Sequence, residues 1–181
     1  MPQPKPKPTP KPKGKPRKKK TPRQIIVRDL DTLVREIVFY RDPESARLYY
    51  KSKKVAHQFY DCDAYEYALK HSGIDQPGHI ISRGRVAVRW DLYNVHKQDA
   101  NDNLLHEFYP EVYITWYIRK FGLEKWESLF GDSRMLWKYS VDDLETLYIE
   151  LTEINKLQQS RPSWKPYYSQ KEIITGEWRK D

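Results

Sequence analysis

The spacing of apolar residues predicts that most of this chain is helical. In residues 25–40, IIVRDLDTLVREIVFY, an apolar stripe recurs at helical intervals and consists of Leu30, Leu33, Val34, Ile37 and Val38. Such a stripe is typical of a helix that packs one face against a core. Asp29 or Asp31 is available as its N-cap, and Pro43 stops this helix or begins the next.

Three more helices are predicted in the second half of the chain. PEVYITWYIRKFG has Pro110 at its start and Gly122 past its end, which is the usual placement of these residues around a helix. LEKWESLFG gives a shorter helical signal. SVDDLETLYIELTEINKL begins with Ser140, and Asp143 three residues later completes a capping-box-like pair. A Tyr-rich helical stretch is also expected over residues 44–71.

Short β-prone runs separate these helical segments. SGIDQPG, residues 72–78, has the composition of a loop. HIIS and VAVRW follow as β-prone runs, and then come YNVHKQ and a polar turn, DAND. We expect His79 at the start of a first strand, Asn94 at the start of a second and Asn103 at the opening of a helix. The predicted fold class is α+β, a mostly helical domain around a small ββα insert.

The positive charge of the chain is concentrated at its N-terminus. Residues 1–23 contain ten basic side chains and no acid, whereas the remaining residues contain 23 basic and 25 acidic ones. Since alternating Lys-Pro favours neither helix nor sheet, this segment is predicted to be a disordered, polyproline-like arm. It would bind a polyphosphate by counterion release without sequence preference, and the basic residues assigned to this contact are Lys15, Arg17, Lys18, Lys19 and Lys20. The alternative is a spacer or solubilising tail.

Length and composition limit the remaining possibilities. A chain of 181 residues suits one modest domain with tails, divided here into an arm (1–23), a domain (24–160) and a C-terminal extension (161–181) without clear period. The single cysteine, Cys62, excludes an internal disulfide and any CxxC zinc motif. No apolar run suggests a signal peptide or a membrane span. We therefore expect a soluble protein in a reducing, intracellular compartment.

Residues in the insert have the spacing of a one-metal nuclease centre. Cleaving a phosphodiester at such a centre requires a base beside the phosphate and a divalent cation on its oxygens. In a strand–loop–strand–helix unit, His79 could activate water, Asn94 could pin the loop or orient the histidine, and Asn103 could hold the metal. The alternative is that His79 satisfies a local hydrogen bond and the asparagines of DANDN form a turn.

The stretch GHIISRG…RWDLYNVHKQ…N, from Gly78 to Asn103, resembles the bacteriophage NinG (Rap) recombination endonucleases, an HNH-type family. The flanks are similar as well: IIVRDLDTLVREIVFYRD resembles the family's helix that ends in Arg-Asp, and ITWYIRKFG and WKYSVDDLETLYIELTEINKL resemble two later helices. The resemblance covers roughly Ile25 to Leu157, with residues 43–77 as a divergent or inserted segment.

This resemblance implies a Mg²⁺- or Mn²⁺-dependent endonuclease for branched DNA such as Holliday junctions, D-loops and flaps. It would work in the cytoplasm of a bacterial host, and a dimer is possible. His79 matches the general base and is assigned to catalysis together with Asn94. Asn103 and His96 match metal-binding positions. Arg83, Arg85 and Arg89 are expected to grip flanking phosphates.

The chain departs from the family at its zinc-binding cysteines. Asp99 and Asp102 stand at the two downstream positions, and no upstream CxxC is present. Since structural zinc favours four nitrogen or sulfur ligands, no structural zinc is expected. Either helical packing replaced the zinc knuckle, or Asp99 and Asp102, with Asp63 or Glu66, bind a hard cation through oxygen.

Two main functions are compatible with these features. The first is an active, metal-dependent endonuclease, which the retention of His79, Asn94 and Asn103 favours. The second is a non-catalytic DNA-binding or architectural phage protein that keeps the HNH-like fold. A packaging protein is a third option, but the near-neutral charge of residues 24–181 argues against it.

Overall fold

Six α-helices and one pair of strands form the part of the chain that the computed structural model describes, residues 19–43 and 73–180. The helices are α1 (Pro22–Arg41), α2 (Ala100–Phe108), α3 (Pro110–Phe121), α4 (Leu123–Ser133), α5 (Val141–Ser160) and α6 (Gln170–Ile174), and the strands are β1 (Asp75–His79) and β2 (Val95–Asp99). Short 3₁₀ turns occur at Val86–Val88 and Glu177–Lys180. A mostly helical chain with a small antiparallel sheet confirms the α+β class.

Helices α1 and α5 pack along each other and form most of the main core. The apolar stripe predicted on α1 is buried in this core. From α5, every third or fourth residue faces it, namely Leu144, Leu147, Leu151 and Ile154. The regular spacing on both helices explains why this pair was visible in the sequence.

The start of α1 differs from the prediction. Thr21 is the N-cap: its side chain accepts a hydrogen bond from the backbone N–H of Gln24, the Gln24 side chain accepts one from the Thr21 backbone, and Pro22 occupies the first helical position. The prediction of Asp29 or Asp31 as the N-cap was therefore wrong, because both lie inside the helix. The Asp31 carboxylate instead pairs with an arginine of the insert, Arg89.

The predicted helix boundaries in the second half of the chain are largely confirmed. Helix α3 begins at Pro110 and ends before Gly122, whose φ of 90° suits glycine. Helix α5 is capped by the reciprocal hydrogen bonds of Ser140 and Asp143. Both predictions succeeded because they depend on residues only a few positions apart.

The strands lie elsewhere than expected. Strand β1 occupies DQPGH, which was predicted mainly as a loop, and VAVRW contains a 3₁₀ turn and no strand. Pro77 is tolerated because β1 pairs only with β2 in the described part of the chain. Val88 of the 3₁₀ turn is buried in a second apolar cluster that also contains Ile80, Tyr113, Tyr117 and Leu129.

Three residues that were expected to open structural elements do not occupy the first position of those elements. His79 ends β1 and does not begin the first strand, Asn94 directly precedes β2, and Asn103 is the fourth residue of α2. The expected DAND turn is absent, because β2 runs directly into α2 at Ala100. The chain nevertheless forms a strand, a long loop, a second strand and a helix in that order.

Close packing of the two strands requires a glycine at position 78. Gly78 pairs with His96, and a Cβ at Gly78 would collide with the side chain of Gln98. Asp75 and Lys97 form an ion pair of 3.0 Å at the other end of the sheet. Contacts between the strands, and not the strand propensity of DQPGH, therefore define β1.

Residues 161–180, predicted as an extension, pack against the same core as α1 and α5. Tyr168, Ile173 and Trp178 are buried there. The backbone N–H of Leu92 donates to the Tyr168 carbonyl at 3.0 Å, which joins this segment to the insert loop. No period was visible in the sequence because each short element contributes only one or two core residues.

None of the helices in the two described ranges has the combination of length and apolar character needed to cross a bilayer. Several predictions lie outside the described residues: most of the basic arm, including Lys15, Arg17 and Lys18, and the Tyr-rich stretch at 44–71 with Cys62, Asp63 and Glu66. Lys19 and Lys20 precede α1 and are exposed.

Candidate functional site

A cavity of about 480 Å³ lies at the ββα unit, between α1, the end of β1, the following loop and α2. Its walls bring together four of the residues that the sequence predicted as site residues, His79, Arg83, Arg89 and Asn103, with further polar side chains. The walls include Asp31, His79, Arg83, Arg89, Asn103, His106 and Glu107.

His79 is held in one tautomer at the wall of this cavity. Its Nε2 lies 3.1 Å from the carbonyl oxygen of Arg89. Because a carbonyl can only accept, Nε2 carries the proton and Nδ1 carries a lone pair. Burial lowers the pKa of His79 to about 4, against the hydrogen bond to Arg89, which raises it. The imidazole is therefore neutral at pH 7 and able to accept a proton.

An ion pair with α1 fixes the turn that holds His79. The Arg89 guanidinium donates to both carboxylate oxygens of Asp31, at 3.0 and 2.7 Å, and Trp90 Nε1 donates to the same carboxylate at 2.9 Å. Arg89 was predicted to contact DNA, but its charge is engaged by Asp31. The role of Asp31 was missed, because its partners lie 58 and 59 residues away in sequence.

Asn94 is a loop anchor and does not line the cavity. It is fully buried, and its Oδ1 accepts from the Ile81 N–H at 2.8 Å. Its Nδ2 donates to the carbonyls of Ile81 at 3.0 Å and Val88 at 2.8 Å. Of the two roles that the sequence suggested for Asn94, the structure places it in the first, pinning the loop. It supports His79 through the backbone.

One face of α2 supplies possible metal ligands. Asn103, His106 and Glu107 follow the i, i+3, i+4 spacing of a single helical face, and all three line the cavity. Asn103 Nδ2 donates to Gln76 at 3.3 Å, which leaves its carbonyl oxygen as an acceptor. The sequence identified Asn103 but left His106 and Glu107 unassigned, although counting one helical turn from Asn103 would have found them.

His106 adds a nitrogen with a lone pair. Its Nε2 donates to the Ile80 carbonyl at 3.0 Å, so Nδ1 is unprotonated, and this atom is buried without a hydrogen-bond partner. Burial lowers the pKa of His106, which keeps it neutral. Mg²⁺ prefers the oxygen donors of Asn103 and Glu107, and Mn²⁺ also accepts nitrogen, so the donors fit either ion.

The donor set of α2 is small. Among residues 19–43 and 73–180, no three histidine, cysteine, aspartate or glutamate side chains converge as a metal-binding group. Mg²⁺ commonly uses only one or two protein ligands and completes its shell with water and substrate phosphate. The site therefore suits a cation that arrives with, or is completed by, a phosphate.

His96, predicted as a metal ligand, is not brought together with Asn103. It does not line the cavity, is only 1% exposed, and packs against Trp116 and Phe121 at ring distances of 5.1 and 5.5 Å. Its Nδ1 accepts from Arg41 at 3.2 Å and its Nε2 donates to the Tyr93 carbonyl at 2.8 Å. Both nitrogens are engaged, so none is available to a cation. Burial lowers the pKa of His96 to about 4.

Arg41 is a buried junction that the sequence did not reveal. Its guanidinium donates to the carbonyls of Leu92 at 2.6 Å and Val95 at 2.7 Å, and it pairs with Asp42 at 2.8 Å. Burial alone would raise the pKa of Asp42, but the two hydrogen bonds from the Arg41 guanidinium and its positive charge hold that pKa well below its usual range. The Arg-Asp pair that ends α1 therefore fastens this helix to the insert.

Asp99 and Asp102, which stand where the family that the chain resembles has zinc cysteines, are buried and do not line the cavity. Asp99 is 3% exposed and accepts from the Gly73 N–H at 2.7 Å, and Asp102 is fully buried. Since Asp63 and Glu66 lie outside the described residues, the oxygen-site alternative stays a prediction. Arg83 and Arg85 are exposed, and only Arg83 reaches the cavity wall.

No family model, curated protein or solved structure matches this chain. Support for a function must therefore come from the cavity itself. The features that bear on it are the neutral His79, the polar face of α2 and the exposed Arg83.

Proposed function

We propose that the protein is a metal-dependent endonuclease of the HNH type, related to the NinG (Rap) recombination endonucleases that residues Gly78 to Asn103 resemble. Branched DNA is its proposed substrate. One observation carries the proposal: a single cavity unites a neutral, tautomer-fixed His79 with the Asn103, His106 and Glu107 face of α2.

In this proposal one residue of the cavity acts as the general base and others hold the metal ion. His79 Nδ1 removes a proton from water, and the water oxygen attacks phosphorus while the bond to the leaving oxygen breaks. Asn103 and Glu107, with His106 beside them, would hold the Mg²⁺ or Mn²⁺ ion, which when bound stabilises negative charge on the phosphate oxygens. The leaving oxygen takes its proton from solvent.

Positive groups around the cavity would orient the DNA. Arg83 lies on the cavity wall and is exposed, so its guanidinium can contact a phosphate next to the cleaved one. Arg85 is exposed nearby in the same loop. Since residues 24–181 carry a net charge of −2, the arm supplies most of the attraction to DNA.

A non-catalytic DNA-binding protein is the second candidate. The small ligand set of α2 favours it, because the described residues contain no cluster of three strong metal-binding side chains. Such a protein would bind the same DNA and leave it intact.

The decisive experiment compares wild type with His79→Ala on synthetic Holliday junctions, flaps, D-loops and linear duplex. Each substrate is incubated with Mg²⁺ or Mn²⁺ under single-turnover conditions. Loss of the base should slow cleavage by about 10²- to 10⁴-fold while binding is unchanged. Binding of branched DNA by wild type without cleavage in either metal would support the second candidate.

A further inference from the structure

The loop between α4 and α5, residues 134–140, exposes an apolar cluster. Leu136 is 98% exposed, Met135 58% and Trp137 49%. Phe130, in the last two turns of α4, is 46% exposed. Single exposed apolar residues are ordinary, but three in succession indicate a surface that binds something.

Basic residues flank this apolar cluster on both sides in sequence. In the loop, RMLWKYS, Arg134 and Lys138 stand on either side of the apolar residues, and no acid occurs among the seven. Both basic side chains are exposed, and the Arg134 guanidinium lies 5.9 Å from the ring centre of Phe130. Apolar and aromatic groups flanked by cations match a ligand that has flat apolar faces and phosphates, as unpaired nucleotides do.

Tyr139 connects the loop to α1 and to the cavity. Its carbonyl accepts from Arg23 Nη1 at 2.6 Å, so the first turn of α1, which the basic arm precedes, lies against the end of the loop. The centre of its ring lies 5.9 Å from the ring centre of Trp137 and 6.5 Å from that of Trp90. Since Trp90 lines the cavity, the Tyr139 ring links Trp137 to the cavity wall.

We propose that residues 134–138 form a wedge that contacts unpaired bases at the branch point of a DNA substrate. This rests on the proposed function for the identity of the partner. In a continuous duplex each base face is covered by its neighbours, whereas a branch point leaves faces open for Trp137 and Leu136. Contacts to phosphates do not distinguish branched from linear DNA, because both have the same backbone. The wedge therefore supplies the preference for branched DNA.

The test measures binding without cleavage. The full-length protein is titrated in EDTA against a forked DNA with 2-aminopurine at the branch point, and against a duplex of equal length. Leu136→Ser and Trp137→Ala are compared with Ile149→Ser, which changes an apolar residue of α5 that is 59% exposed. Because Leu136 is almost fully exposed, its replacement leaves the fold intact.

Trp137→Ala should weaken binding to the fork by about 5- to 100-fold, and Leu136→Ser by a smaller factor. The 2-aminopurine response should disappear, while duplex binding and the Ile149→Ser control remain as in wild type. Unchanged fork binding in both loop variants would overturn the proposal, and so would equal weakening of fork and duplex.

Other occupants of the loop give different results. If the loop variants abolish a dimer in sedimentation, or binding to anionic vesicles, and fork binding is unchanged, then a second copy or a lipid surface covers the cluster and the wedge is wrong. The proposed nuclease activity is judged separately, because binding is measured in EDTA. Cleavage that survives His79→Ala would refute the catalytic assignment and leave the wedge standing.

Discussion

Nε2 of His79 donates to the carbonyl oxygen of Arg89, ten residues later in the chain, at 3.1 Å. This bond determines which ring nitrogen is free to act as a base. The same Arg89 pairs through its side chain with Asp31 of α1. In the proposed mechanism Asp31 is therefore a positioning residue, which acts on His79 through the backbone of Arg89.

Asp31→Asn should lower kcat by about tenfold and leave KM and DNA affinity nearly unchanged, because it loosens the orientation of His79 without touching substrate. Asp29→Asn is the matched control, since Asp29 also pairs with an arginine, Arg28, at 2.7 Å on α1 but does not line the cavity. Single-turnover kinetics on branched DNA provide the measurement. Equal kcat values for the two variants would show that Asp31 does not contribute to catalysis.

Asn94→Ala should lower the free energy of unfolding by about 2–4 kcal/mol, because backbone groups of Ile81 and Val88 lose a fully buried partner. Asn155→Ala, at a half-buried position of α5 where the side chain makes only long hydrogen bonds of 3.5 and 3.4 Å, should cost less than about 1 kcal/mol. Urea denaturation followed by circular dichroism compares the two. A fully stable Asn94→Ala protein without cleavage activity would instead give Asn94 a direct catalytic role.

The free energy of unfolding should fall as the pH decreases from 6.5 towards 4. His79 and His96 have pKa values of about 4 in the folded protein against 6.5 ordinarily, and the pKa of His106 is lowered too. In this range the unfolded chain binds protons that the folded protein does not, so acid favours unfolding.

Asp91 has the opposite effect on how the free energy of unfolding changes with pH. Burial raises its pKa to about 7 from 3.8, so in the same range the folded protein binds one proton that the unfolded chain lacks. Three histidines outweigh one aspartate, and the net loss should be about 1–3 kcal/mol per pH unit. Urea midpoints at pH 6.5, 5.5 and 4.5 measure it, with recovery at pH 7 as the control for reversibility. A constant or rising midpoint would contradict this.

Deleting residues 2–18 should flatten the salt dependence of DNA binding. The deletion removes seven basic residues and retains Thr21, Pro22 and Arg23, which cap α1 and contact Tyr139. The slope of log K against log salt should shrink by about 0.9 for each phosphate that the arm neutralises in the wild type. Fluorescence anisotropy across a salt series measures the slope, and cleavage at saturating protein should persist. An unchanged slope would make the arm a spacer.

Chelation should distinguish a cation that is needed for cleavage from one that is needed for folding. EDTA should abolish cleavage but leave the circular dichroism spectrum and urea midpoint unchanged, and metal analysis should find far less than one equivalent of zinc. Restoring Mg²⁺ or Mn²⁺ should restore cleavage. Stoichiometric zinc, or unfolding in EDTA, would contradict the expectation that the protein holds no structural zinc.

The sequence by itself determined the helical framework of this protein. The stripe on α1, the Pro110 and Gly122 limits of α3 and the Ser140–Asp143 cap all appear in the structure. Each depends on residues within about one or two helical turns, so local spacing carries the information. His79 and Asn103 were identified from spacing and resemblance, and the cavity contains both.

Only the tertiary structure decided how the polar residues are used. Val95 lies at the cavity while the adjacent His96 is enclosed by aromatic rings, because successive strand residues face opposite ways. DQPGH becomes a strand through its pairing with β2, and Asp31 and Arg41 bond to residues more than fifty positions away. Such interactions leave no local pattern, because they form only when distant segments are packed together.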